Sequence, residues 1–257
     1  MNKVIEFNMS IAQTKPESIH NKEAICPFCD VPKLENILDK KGPMIWLLNK
    51  YPVLEDTWQT IIIESNQCHS DFSEYSADYA LELVQFSIEK WQHTRQQKEF
   101  RSVLFYRNYG SHSGGSIRHP HSQIVGLHKY DYHEDIHKEQ FEGHAIINTR
   151  EMEINLSTKP IAGFFEFNFI LSDWTSLPLF VHYMQRMSNY ALHGFSVYCH
   201  SYNIFYYYFD DDRLYVKIIP RMITNPLFVG YKIPQVSHSN NTASTIAVVK
   251  DWLMERS

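Results

Sequence analysis

Apolar positions fall in short blocks that change period along the chain. Residues 44–48 (MIWLL) and 60–64 (TIIIE) are brief apolar runs of strand character. Lys40-Lys41-Gly42-Pro43 marks a turn before the first, and Tyr51-Pro52 lies between them. Ser76 can cap a helix, and Ala80, Leu83, Val84, Ser87, Ile88 and Trp91 keep helical spacing to about residue 97. Residues 102–107 (SVLFYR) form a β-rich run ending at Asn108, a polar loop covers 109–118, and 119–127 (HPHSQIVGL) has strand character again. The second half repeats the order. Residues 177–192 are helical, with Pro178 in the first turn, and 196–200 (SVYCH) form a strand leading to Asn203. An aromatic run at 204–209, a turn at 210–212 and a strand at 215–220 follow. Helix, strand, asparagine, turn and strand therefore occur twice, with 11 residues from Asn108 to His119 and 12 from Asn203 to Tyr215. This predicts an α+β unit of roughly 100 residues, present in two copies.

Composition narrows the class. The 257 residues suit one large domain or two closely packed lobes. With 44% apolar and 21% charged residues the chain can bury a sizeable core. A net charge of −5 is a poor match for nucleic acid, which needs a basic surface. No apolar run approaches a membrane span and residues 1–10 carry no signal-peptide core, so a cytoplasmic location is expected. Glycine is scarce at 9 residues, which makes a glycine pair conspicuous, and histidine is abundant at 14.

The chemistry concentrates in Asn108-Tyr-Gly-Ser-His-Ser-Gly-Gly-Ser-Ile-Arg-His-Pro-His-Ser-Gln123. On an extended strand His119, His121 and Gln123 would share a face. Gly114 and Gly115, flanked by Ser113 and Ser116, offer unobstructed backbone N–H groups and hydroxyls that can cradle phosphate oxygens. An imidazole nucleophile beside such a turn points to phosphoryl or nucleotidyl transfer through a covalent histidine intermediate. Cys26-Pro-Phe-Cys29, in a chain without a secretory signal, is a metal-binding or redox pair rather than a structural disulfide. Gln123 can bind a phosphoryl group but cannot exchange a proton with a leaving group, which favours transfer to an already ionised phosphate over hydrolysis.

These residues resemble the galactose-1-phosphate uridylyltransferase branch of the histidine-triad superfamily. The resemblance rests on the Cys-x-x-Cys pair, then NKYPVL from Asn49, a lone His69 before a helix, and His-Pro-His-x-Gln after an Asn and a Gly/Ser loop. It covers residues 24–128 well and the second half only weakly, in Pro220-Arg221 and Leu227-Phe-Val-Gly-Tyr231. It implies an α+β, histidine-triad-like fold of two related halves, each with an antiparallel sheet and a main helix. Residues 1–23, polar and with little periodicity, are expected as a loosely held N-terminal arm, followed by a catalytic half with the zinc site over 24–135 and a degenerate half over 136–257. It implies a structural zinc on Cys26, Cys29, His69 and His119, with His121 as nucleophile, Gln123 on the non-bridging phosphate oxygens and Ser116 beside the transferred phosphate. Asn49 and Asn108 would contact the nucleotide, with Gly114 and Gly115 in the cradle. The implied activity is nucleotidyl transfer between a nucleotide sugar and a sugar 1-phosphate, with nucleotide sugar and sugar phosphate as partners and a homodimer left open. The alternatives are a phosphorylase or hydrolase of nucleotide sugars or dinucleoside polyphosphates, and a catalytically silent zinc-stabilised nucleotide-binding protein.

Other conspicuous residues have plainer readings. Cys68 is expected to be a small buried residue facing away from the metal, and Cys199 a core residue. His112 and His137 belong on the surface, the 204–209 aromatics in the sheet core and 210–212 in a solvated turn. Lys217 is expected at a rim. The second copy places Tyr215, Lys217 and Ile219 where the first has His119, His121 and Gln123, so it cannot supply a second nucleophile.

Overall fold

The protein is described from a computed structural model that covers residues 4–21, 23–163 and 165–255. It forms two units, one within residues 1–71 and 82–135, the other within 72–81 and 136–257. Residues 1–3 and 22 of the expected arm and residues 164, 256 and 257 of the expected second half lie outside the described residues.

The first unit carries strands β1 (Ile37–Lys41), β2 (Met44–Leu48), β3 (Thr57–Ile63), β4 (Ser102–Tyr109) and β5 (His121–Leu127). They lie in the order β1-β2-β3-β5-β4, all antiparallel. Alternation along the strands separates two faces. On one, Trp46, Phe105 and Ile124 pack under helix α2 (Ala77–Arg95), whose Trp91 donates its indole N–H to the carbonyl of Val103 at 2.9 Å. On the other, Ile45, Leu47, Ile61 and Ile63 meet Cys26, Phe28 and Ile117 from the loops. This second face holds the candidate site.

The second unit repeats the plan with β6 (Gly143–Asn148), β7 (Met152–Ser157), β8 (Phe167–Leu171), β9 (Tyr202–Tyr208) and β10 (Leu214–Pro220). Their order, β6-β7-β8-β10-β9, is that of the first unit strand for strand, again antiparallel. Helix α3 (Leu177–His193) packs Phe180 and Tyr190 against Phe169 and Phe167. The fold is thus α+β, two related halves each with an antiparallel sheet and a main helix.

Three local expectations change. Residues 196–200 form a turn, because Ser196 accepts the N–H of Tyr198 on its hydroxyl at 3.3 Å and that of Cys199 on its carbonyl at 2.9 Å. β9 begins only at Tyr202. The N-terminal segment is tied down rather than loose. Asn8 donates to the carbonyl of Val53 at 2.8 Å and caps the short helix α1 (Met9–Thr14), and Ser18 donates to the carbonyl of Ser116 at 2.8 Å. Lys217 is not at a rim. It is fully buried, with Nζ 3.0 Å from Glu166 and 2.7 Å from Asn168 Oδ1. Glu166 also accepts the N–H groups of Ile161, Ala162 and Gly163 at 2.7–3.0 Å. Burial lowers the Lys217 pKa and the Glu166 charge opposes that shift.

Removing one member of a buried ion pair strands the other, a loss of about 3–5 kcal/mol. Glu166→Ala is expected to destabilise by that order in urea unfolding. Adding Lys217→Met should recover part of the loss, which identifies the stranded charge as its cause.

Candidate active site and metal centre

The chain turns into β5 through His119-Pro120, and Pro120 has no N–H to join a ladder. The strand therefore begins at His121, not at His119 as expected. His121 and Gln123, two apart on the strand, both line one cavity of about 340 Å³. His119, before the strand, turns its ring to the cysteine thiols instead. Phe28 wedges edge-on between the two rings, 5.9 Å from His119 and 5.3 Å from His121.

Two backbone carbonyls set the tautomers. His119 Nε2 lies 2.8 Å from the carbonyl of Ser65 and His121 Nδ1 lies 2.8 Å from the carbonyl of His119. A carbonyl only accepts, so each of these nitrogens carries the hydrogen. Burial lowers the pKa of His119, and pushes that of His121 down to about 4 with help from the nearby charges of Arg107 and Lys15. Both rings are thus neutral at pH 7. His119 presents a lone pair at Nδ1 and His121 one at Nε2.

His119 Nδ1 is 3.6 Å from Cys26 Sγ and 3.5 Å from Cys29 Sγ. A tetrahedral zinc with ordinary bond lengths separates sulfur and nitrogen ligands by about 3.5 Å. The fourth donor atom of the cluster comes from Cys68. The ligand atoms of Cys26, Cys29, Cys68 and His119 all lie within 4.8 Å of one another. This corrects the expected set, in which His69 held that place and Cys68 faced away. Both sit in one turn after β3, where the Cys68 side chain reaches the cluster and His69 is exposed. Burial and the neighbouring thiols push Cys29 up to about 12, and burial raises Cys26; a bound cation would favour their thiolates. The donor set fits zinc, and the Ser65 carbonyl supplies the outer hydrogen bond that metal-bound imidazoles usually make.

The other candidates divide. Asn49 and Ser116 line the cavity with His121 and Gln123. Asn49 Oδ1 accepts the N–H of Tyr51 at 3.0 Å. Gly114 adopts a φ of +86°, which favours glycine, and a Cβ on Gly115 would come 3.4 Å from Asn108 Cβ. Gly114, Gly115 and Asn108 are not among the residues that line the cavity of His121. Two polar groups escaped the sequence reading. Tyr106 donates its hydroxyl to Gln123 Oε1 at 3.2 Å, and burial pushes its pKa up to about 12, so it stays a donor. Lys15 lines the cavity half-buried, whereas its fellow lysines Lys33 and Lys50 are paired with Asp30 and Glu35 at 2.5 and 3.4 Å. Strand pairing opposite Gln123 could have indicated Tyr106; the sequence carried no signal for Lys15.

Residues 7–130 match the N-terminal domain, and residues 133–251 the C-terminal domain, of a family described as a domain of unknown function, DUF4931. The chain belongs to the DUF4931 family. A crystal structure of a DUF4931 family protein from Bacillus cereus ATCC 10987 is 36% identical, covers 86% of this chain and all of its own, and superposes with a TM-score of 0.77. More distant solved structures share the fold. A uridylyltransferase is 14% identical over 89% of this chain and 91% of its own, TM-score 0.70. An ADP-glucose phosphorylase from Arabidopsis thaliana with bound ADP-glucose is 14% identical over 88% and 90%, TM-score 0.69. No curated protein matches the sequence. This DUF4931 chain therefore has an α+β fold that a uridylyltransferase and an ADP-glucose phosphorylase share, and the fold does not choose between them. No helix among its described residues is long and apolar enough to cross a membrane.

Cys68→Ser is expected to lower bound zinc, measured by metal analysis of purified protein, and to weaken the sulfur-to-metal absorption of a cobalt-substituted sample. His69→Ala should change neither.

Proposed function

We propose that this DUF4931 protein transfers a nucleotidyl group from a nucleotide sugar to a phosphate acceptor, a sugar 1-phosphate, through a covalent nucleotidyl-His121. The observation that carries this reading is the His121 ring, whose Nδ1 is committed to the His119 carbonyl and whose neutral Nε2 is left to attack from a cavity wall. In the first step Nε2 bonds to the α-phosphorus and the bond from phosphorus to the sugar 1-phosphate oxygen breaks. In the second, an acceptor phosphate oxygen attacks the same phosphorus and the P–N bond breaks, restoring the ring. Zinc on Cys26, Cys29, Cys68 and His119 would supply a structural anchor for the segment that aims His121.

The surrounding groups suit phosphoryl chemistry. Tyr106 fills the carbonyl end of the Gln123 amide, which directs the NH₂ end to donate. That donor, with the Ser116 hydroxyl and the Lys15 ammonium at the same cavity, stabilises charge growing on the phosphoryl oxygens. The cavity carboxylates Asp30 and Glu35 are tied to lysines. An acceptor that is already an anion needs no base, which favours a phosphate over an alcohol or water. The 14%-identical phosphorylase is consistent with this chemistry, and inorganic phosphate is therefore the acceptor to set against sugar 1-phosphate.

Incubation with UDP-glucose or ADP-glucose should add the mass of one nucleoside monophosphate to the intact chain. His121→Ala should abolish the adduct and retain zinc. An adduct that survives in His121→Ala would overturn the reading, as would its absence from the wild-type protein across a panel of nucleotide sugars.

Tyr106→Phe lets the Gln123 amide turn and lose its aim. A neutral hydrogen bond contributes about 1 kcal/mol, so adduct formation should slow roughly fivefold in single-turnover measurements while zinc content stays unchanged.

A further inference from the structure

The second unit holds a cavity of its own, about 200 Å³, lined mostly by apolar side chains such as Phe195, Phe228 and Ile233, with Arg221, Thr224, Asn225 and Gln235 as its polar side chains. None of the groups assigned to nucleotidyl transfer lies in it. Arg221 is half-buried, and one of its nitrogens, Nη1, donates to Asn203 Oδ1 at 3.1 Å. The carboxylate that acts on its charge is Glu166, and Glu166 is already spent. Its Oε1 accepts the N–H groups of Ala162 and Gly163, and its Oε2 that of Ile161 and the Lys217 ammonium. Two bonds to each oxygen saturate it. Burial lowers the Arg221 pKa in keeping with that shortfall of partners. A guanidinium left with spare donors at an apolar-walled cavity is a place for an anion, since partly buried charge is normally matched.

We infer that this cavity binds a small organic carboxylate with an apolar body, the carboxylate on Arg221 and the body against the aromatic and aliphatic wall. The planar fork of a guanidinium matches a carboxylate with two parallel hydrogen bonds. The other polar side chains that line the cavity, Thr224, Asn225 and Gln235, are uncharged, so its one cationic side chain matches the charge of a monoanion better than that of a phosphate dianion. The volume suits a body of about one ring, below the ~300 Å³ at which pockets for larger ligands begin.

The test is calorimetric titration of the full-length chain with phenylacetate, its uncharged isostere phenylacetamide, and inorganic phosphate. Phenylacetate should bind at least tenfold more tightly than either of the others. Arg221→Met should abolish that binding, Arg221→Lys should weaken it several-fold, and His121→Ala should leave it unchanged. Because Arg221 replacements can disturb the unit, Ile233→Trp provides a second probe: it fills the cavity from a half-exposed position and should block phenylacetate while the melting temperature holds. Equal binding of amide and acid, equal binding of phosphate, no binding of phenylacetate, or binding that persists in Ile233→Trp would each overturn the assignment. The nucleotidyl-histidine reading stands or falls separately, because its adduct is measured by mass.

Discussion

The site depends on how one short segment, Ser65 to His69, holds the ring of His119. The Ser65 carbonyl takes the Nε2 hydrogen, and Cys68 from the same turn joins Cys26 and Cys29 at Nδ1. The ring is gripped from both edges, and its own carbonyl then grips the next histidine. Orientation passes from sulfur to imidazole to carbonyl to imidazole without a flexible side chain intervening. The far side of β5 is pinned as well. Ser122 donates to Glu64 at 2.6 Å, Glu64 accepts from Arg107 Nε at 2.9 Å, and Arg107 Nη2 lies 3.2 Å from Asp71. These groups are buried, so β5 is fixed by polar bonds on the helix-covered face and by the cysteine cluster on the other.

The two units show how one topology accepts different chemistry. Both order their strands alike and both cover one face with a helix. In the first, the open face of β5 presents His121 and Gln123 to a cavity. In the second, β10 presents Tyr215 and Lys217 on its face away from α3, and Phe141 seals them, its ring 5.1 Å from Tyr215. The Lys217 ammonium is consumed by Glu166, Asn168 and the carbonyl of Gln140. Where one half leaves an imidazole lone pair at a cavity, the other closes the polar groups of this face on themselves. A Tyr and a Lys held this way stabilise the sheet and offer nothing to a phosphoryl group.

Strands β2, β3, β4, β5, β9 and β10 and the helices α2 and α3 were legible from their spacing, whereas β1, β6, β7, β8 and the helix over Ser239–Met254 were not read from the sequence. The helices at 77–95 and 177–193 follow the spacing of Leu83, Val84 and Trp91 and of the 177–192 run. What failed was decided by contacts distant in sequence. Cys68 and His69 are neighbours, and no periodicity tells which turns inward; the position of Cys26, Cys29 and His119 does. Lys217 looked like a rim charge because its partner Glu166 stands on another segment. Residues 196–200 have β-forming side chains, but one serine capturing two N–H groups outweighs that preference. Arg221 stood out only as part of a weak motif, and the saturation of Glu166 was invisible without coordinates.

A constraint on substrates follows from what surrounds His121. Its Nδ1–H is taken by a carbonyl, Gln123 is taken at its oxygen by Tyr106, and Tyr106 is kept protonated by burial. Gln123 has no titrating proton, and Tyr106 holds its own well above neutral pH. In the proposed reaction the leaving group must therefore depart as a stable anion, and the acceptor must arrive as one. A sugar 1-phosphate satisfies both demands, and so does inorganic phosphate; a sugar hydroxyl satisfies neither. The choice between the two phosphates in that reaction then rests on the other groups at the cavity, Lys15, Asn49 and Ser116 among them, rather than on proton transfer.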